Sequence, residues 1–102
     1  ALVSMGFGRD WPEARGMFVA KDARNVVWVN GEDHMQLILT RKDGDVANIF
    51  GAFCSIHKEL EATLERQGYH FARSPELGFL GANLMNLGVA MRLSIVVSLR
   101  LL

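Results

Sequence analysis

Hydrophobic positions along this chain change their spacing near residue 45. Before that point they fall in three short runs, 16–20, 25–30 and 35–40, separated by polar residues. The middle run, Asn25 to Asn30, is rich in valine with Trp28 near its centre, the composition that suits a pleated, half-buried strand. The links between runs are too short for a parallel crossover, so the three strands are predicted to be antiparallel neighbours. Lys42-Asp43-Gly44 then gives a turn signal. From there Val46, Ile49, Phe50, Phe53, Leu60 and Leu64 recur at helical spacing, with His57 filling the gap on the same face. This predicts one amphipathic helix over 46–67, capped by Asp45 and stopped at Gly68. Past it, Tyr69 to Phe71 begins an extended piece, Pro75 marks a loop, and Val89 to Leu99 reads as a final strand. The pattern as a whole predicts an α+β fold, an antiparallel sheet with one long amphipathic helix packed on it.

Composition narrows this further. A chain of 102 residues forms at most one small domain, taken as 1–102, with no repeat or linker. Half the residues are apolar, enough for a core and against disorder. Eleven basic and eleven acidic side chains balance, so nothing marks a nucleic-acid partner. The one cysteine, Cys54, excludes an internal disulfide and fits a reducing compartment, cytoplasmic or organellar. An Ala1 start is consistent with a processed N-terminus or with a piece of a longer product. The stretch 77–102 carries only Arg92 and Arg100 as charges, which raises the question of membrane contact. Asn83, Asn86, three glycines and an arginine inside that window favour a buried strand instead.

Chemistry is sparse. His34, His57 and His70 lack metal-ligand spacing, and no cysteine partners them. Gly78, Gly81 and Gly88 are not followed by the Lys-Ser/Thr of a phosphate loop. Trp11, Trp28 and Phe50 read as core aromatics, Cys54 as a small core or near-core residue, and His57 as a structural histidine on the apolar helix face. Glu32, at a strand end, is a carboxylate of the kind that holds a planar guanidinium by paired, charge-assisted hydrogen bonds. On composition alone, however, the reading of Glu32 and Asp33 as a solvated strand-end turn prevails. Arg92 reads either as an anion contact or as a strand-end arginine extending its charge to water.

Two segments then weigh together: Arg-Asp-Trp-Pro-Glu-Ala-Arg-Gly at 9–16 and Val-Trp-Val-Asn-Gly-Glu-Asp-His at 27–34. In this order they resemble the catalytic domain of the phosphagen (ATP:guanidino) kinases, the creatine and arginine kinase family. The resemblance implies transfer of a phosphoryl group between ATP and a guanidino compound. It makes Glu32 the vestigial candidate for the carboxylate that orients the guanidinium, the second of two successive glutamates, with Gly31 in place of the first. Gln36 stands where the family has an arginine that grips ATP phosphates. The segment Glu76 to Arg92 is similar to the family stretch in which a reactive cysteine and a proline precede an Asn-Leu-Gly run. Asn83 takes the cysteine position and Leu84 the proline position, while Asn86, Leu87 and Gly88 are retained. Arg92 falls on a phosphate-binding arginine, and Val96 replaces the histidine that packs on adenine.

The family's helical N-terminal domain, an arginine cluster with a histidine for nucleotide, and a mobile loop with another arginine lie outside these 102 residues. Two expectations follow. In the first, the chain is a non-catalytic relative that binds no cofactor and serves as a structural or interaction subunit, with other protein subunits as partners. In the alternative, it is part of an active ATP:guanidino phosphotransferase using Mg-ATP, its remaining segments supplied elsewhere. Membrane contact through 77–102 is compatible with the first but not required by it.

Overall fold

The computed structural model describes residues 12–99. Arg9, Asp10 and Trp11 of the first motif lie outside them, as do residues 100–102 of the C-terminal stretch. Three antiparallel strands, β1 (Gly16–Val19), β2 (Asn25–Val29) and β3 (Met35–Leu39), form a sheet in the order β1-β2-β3. The register places Trp28 between Met17 on one side and Gln36 on the other. As the strand with neighbours on both edges, β2 holds the most protected side chain. Trp28 is 4% exposed and is the buried hydrophobe among the described residues. Local chemistry fixes the first hairpin, where Asp22 accepts a hydrogen bond from the Arg24 amide (3.0 Å) and Ala20 bonds Asn25 (2.9 Å).

A single long helix follows, α1 (Val46–Arg66). Asp45 caps it, its side chain accepting from the Asn48 amide at 2.9 Å. At the other end Gly68 adopts φ +80°, and paired bonds run from Tyr69 to the Leu64 carbonyl (3.0 Å) and from Gly68 to that of Glu65 (3.0 Å). That pairing is a Schellman stop, which needs a left-handed residue where a side chain would be strained. Both helix ends therefore lie where local sequence puts them.

Two short strands, β4 (Arg73–Ser74) and β5 (Gly78–Phe79), pair as a second antiparallel sheet. They lie past the extended piece predicted at 69–71, with Pro75 in the turn between them. The helix meets this region through aromatic rings. His57 stacks between Phe53 and Phe71 at centroid distances of 6.1 and 5.5 Å, and Phe79 approaches it edge-on at 6.1 Å. The Arg73 guanidinium lies 5.0 Å above the Phe79 ring. The reading of His57 as a structural histidine fits this stack. Cys54 is free and half-buried, in keeping with a near-core residue.

Two expectations fail. Phe50, read as a core aromatic, is 52% exposed, and Val46 beside it is exposed too. The ring contacts of α1 are made at Phe53 and His57, one and two turns further along the helix. The final strand over 89–99 does not form either; that segment holds no ladder, and Val96 is 99% exposed. Its odd positions, Val89, Met91, Leu93, Ile95, Val97 and Leu99, are all apolar, the alternation of a half-buried strand. Alternation chooses a face, but a strand exists only when a neighbour accepts its hydrogen bonds. The described residues offer this segment none. The radius of gyration, 15.4 Å, exceeds the roughly 13 Å of a compact chain of about 100 residues.

Candidate functional site

The turn joining β2 to β3 carries the chemistry. Asn30 opens it with φ +54°, a left-handed conformation that asparagine tolerates better than most residues, and its amide bonds the His34 carbonyl at 2.9 Å. The Asn30 side chain reaches back to donate to the Ala14 carbonyl at 2.9 Å. This bond links the two motifs that the sequence sets apart. Gly31 comes next, lying against the indole of Trp28. A Cβ added there would collide with the Trp28 ring, so the ring fills the space that a side chain at 31 would need.

Glu32 and Asp33 follow, and the segment 81–86 is docked on both. Asn83 caps a short 3-10 helix, η1 (Leu84–Asn86), by accepting from the Met85 amide at 2.9 Å. With its oxygen so committed, its Nδ2 faces outward and donates to Glu32 Oε1 at 2.6 Å. The Asn83 main-chain amide donates to Asp33 Oδ1 at 3.1 Å, and Asn86 Nδ2 donates to Asp33 Oδ2 at 2.7 Å. Gly81 permits the approach, because a Cβ there would run into the Asp33 carboxylate. The Asn86 amide, above all, holds the Asp33 carboxyl below the usual carboxylate range; the Asn83 and Ala82 amides and nearby His34 help, against partial burial that pushes it up.

One more close approach positions this segment. Phe79 and Gly88 exchange backbone bonds, 2.8 Å from the Phe79 amide and 3.2 Å from the Gly88 amide. Gly78 has φ +75°, and a Cβ on it would stand 2.6 Å from the Gly88 carbonyl oxygen. The Asn86-Leu87-Gly88 run is thereby pinned to the hairpin that also holds α1.

The structure thus brings Glu32 to Asn83, and Asp33 to Asn83 and Asn86. It does not bring in Arg92, which is exposed and has no hydrogen bond or ion pair among the described residues. Gln36 is exposed on β3, and Val96 stands in solvent. No cluster of histidine, cysteine and carboxylates able to hold a metal ion occurs among the described residues. Sequence reasoning did not pair Asn83 with Glu32, and it took Asp33 as part of a solvated turn, whereas Asp33 is half-buried and accepts two hydrogen bonds.

Solved structures show the same fold: lombricine kinase, 32% identical with a TM-score of 0.73 over 85% of this chain and 24% of that one. The substrate-free duplicated taurocyamine kinase of Schistosoma mansoni is 31% identical, with a TM-score of 0.68 over 87% of this chain and 12% of that one. Creatine kinase B-type of Gallus gallus is 33% identical over 98 residues, 96% of this chain. The family profile described as ATP:guanido phosphotransferase, C-terminal catalytic domain, matches residues 1–102. The chain belongs to that family. It spans 26% of the length of the Gallus gallus relative.

Proposed function

We propose that this chain is a phosphagen-kinase relative that transfers no phosphoryl group and serves as a structural or interaction subunit of a larger assembly. The observation that carries the reading is the 2.6 Å bond between Glu32 and Asn83. By the family resemblance Glu32 is the carboxylate that orients the guanidinium, and Asn83 stands at the reactive cysteine position. An internal amide therefore occupies an oxygen that a substrate would need. Displacing this exposed, solvent-screened bond costs up to about 1 kcal/mol before any substrate is held. On the phosphate side, phosphoryl transfer relies on cations around the phosphate oxygens, and Gln36 supplies none.

The interaction half of the proposal rests on the surface. The alternating apolar positions of 89–99 are exposed, and β1 and β3 each have an outer edge without a partner strand among the described residues. Such edges and patches are normally covered. Retention of Glu32, Asn86-Leu87-Gly88 and Arg92 keeps one other reading in play, that the chain is part of an active ATP:guanidino phosphotransferase working on Mg-ATP.

Native mass spectrometry of the particle purified from its own source separates the two. The subunit reading expects unrelated proteins at fixed stoichiometry with this chain. Recovery in a particle that phosphorylates arginine or creatine, with turnover lost on Glu32→Gln and on Arg92→Ala, would overturn it.

A further inference from the structure

We infer that Asn30 is a site of spontaneous deamidation through a succinimide closed by Gly31, and that this reaction releases the Glu32 turn from the Ala14 segment. The chain has five asparagines, followed in turn by Val26, Gly31, Ile49, Leu84 and Leu87. Only at Asn30 does the next residue lack a side chain. Ring closure requires the following amide nitrogen to swing onto the asparagine Cγ, a motion that a neighbouring side chain obstructs and glycine permits. Two further observations favour the site. Asn30 is exposed, and no hydrogen bond engages the Gly31 amide among the described residues. Asn83 and Asn86 are half-buried and bonded to the carboxylates, whereas the one bond of the Asn30 side-chain amide is an exposed one, to the Ala14 carbonyl at 2.9 Å.

In the reaction a solvent base removes the Gly31 amide proton, and the nitrogen lone pair forms a bond to Asn30 Cγ. The bond from Cγ to Nδ2 breaks, and that nitrogen leaves as ammonia after taking a proton from water. Water then opens the ring. Attack at Cγ leaves aspartate, whereas attack at the main-chain carbonyl leaves isoaspartate, with the backbone rerouted through Cγ. No oxidant or cofactor is needed.

Either product removes the donor that holds Ala14 at 2.9 Å. In the aspartate product a carboxylate oxygen then faces the Ala14 carbonyl oxygen, and in either product a third negative charge joins Glu32 and Asp33. Isoaspartate also adds a backbone atom inside the turn closed by the bond from Asn30 to His34.

The test incubates the full-length folded protein in mildly alkaline buffer, followed by digestion and peptide mass spectrometry. The expected result is a gain of about one mass unit in the Asn30 peptide, an order of magnitude faster than in the peptides of the other four asparagines. Isoaspartyl methyltransferase should label that peptide. Asp43-Gly44 is resolved from it because isomerisation there changes no mass. The aged protein should melt at or below fresh Asn30→Asp, and both below fresh wild type. If Asn30→Asp does not fold, the more acidic fraction of aged wild type replaces it in the comparison. A mass gain that is absent from Asn30, or spread evenly over the asparagines, overturns the site. Modification at Asn30 with an unchanged melting temperature overturns the release.

Discussion

Replacing Asp33 with alanine tests the junction on which the site depends. The substitution leaves the Asn86 amide and the Asn83 main-chain amide without the carboxylate that now accepts them at 2.7 and 3.1 Å. Hydrogen bonds to a charged group contribute about 1.5–3 kcal/mol each when shielded, and solvent reduces that at a half-exposed site such as this. A loss of about 1–3 kcal/mol for the pair follows, and each kcal/mol lowers the melting temperature by about 4–8 °C in a domain of this size. The sign with pH is fixed by the direction of the shift. The folded carboxyl is depressed below its unfolded value, so its contribution is complete above the unfolded value of about 3.9. It is lost as pH falls through the folded value. Urea unfolding of wild type and Asp33→Ala across neutral and acid pH should show a gap that is widest near neutrality and narrows in acid. Asp33→Asn, which keeps the shape and presents one further donor to two donors, should show a similar gap at neutral pH. A gap that is absent, or constant with pH, would refute the reasoning.

Other positions give sharper local readouts. Gly31→Ala should cost about 1–3 kcal/mol through its collision with the Trp28 ring, detected as a lower melting temperature and a changed tryptophan fluorescence spectrum. Asp45→Ala should remove about 1 kcal/mol and part of the helical circular dichroism, since the Asn48 amide loses its acceptor. Gly78→Ala combines a positive φ with a collision at the Gly88 carbonyl and should cost about 1–3 kcal/mol, loosening amide protection at Phe79 and Gly88. An unchanged melting temperature in any of these would contradict the corresponding contact.

How legible each part was in the sequence depends on the distance over which its cause acts. The helix was readable to within a residue because its period, the Asp45 cap and the Gly68 stop are local. The three-stranded sheet was readable for the same reason, through short links that force antiparallel neighbours. The strand over 89–99 was misread because alternation was present without a partner strand. Phe50 was misread because periodicity names a helix face but not how far along it a neighbour extends. The link from Asn83 to Glu32 joins residues 51 apart, and no local pattern specifies a contact of that range. Even Gly31, visible as a departure from the family, gained its meaning only once Trp28 was seen filling its space.

The account's central claim is that the site no longer transfers phosphate. It is tested most directly by following transfer of the γ-phosphate of labelled Mg-ATP to arginine and to creatine, with wild type and Glu32→Gln side by side. Equal background for both proteins is the predicted result. Turnover above background in wild type that disappears in Glu32→Gln would contradict the claim and return Glu32 to catalysis.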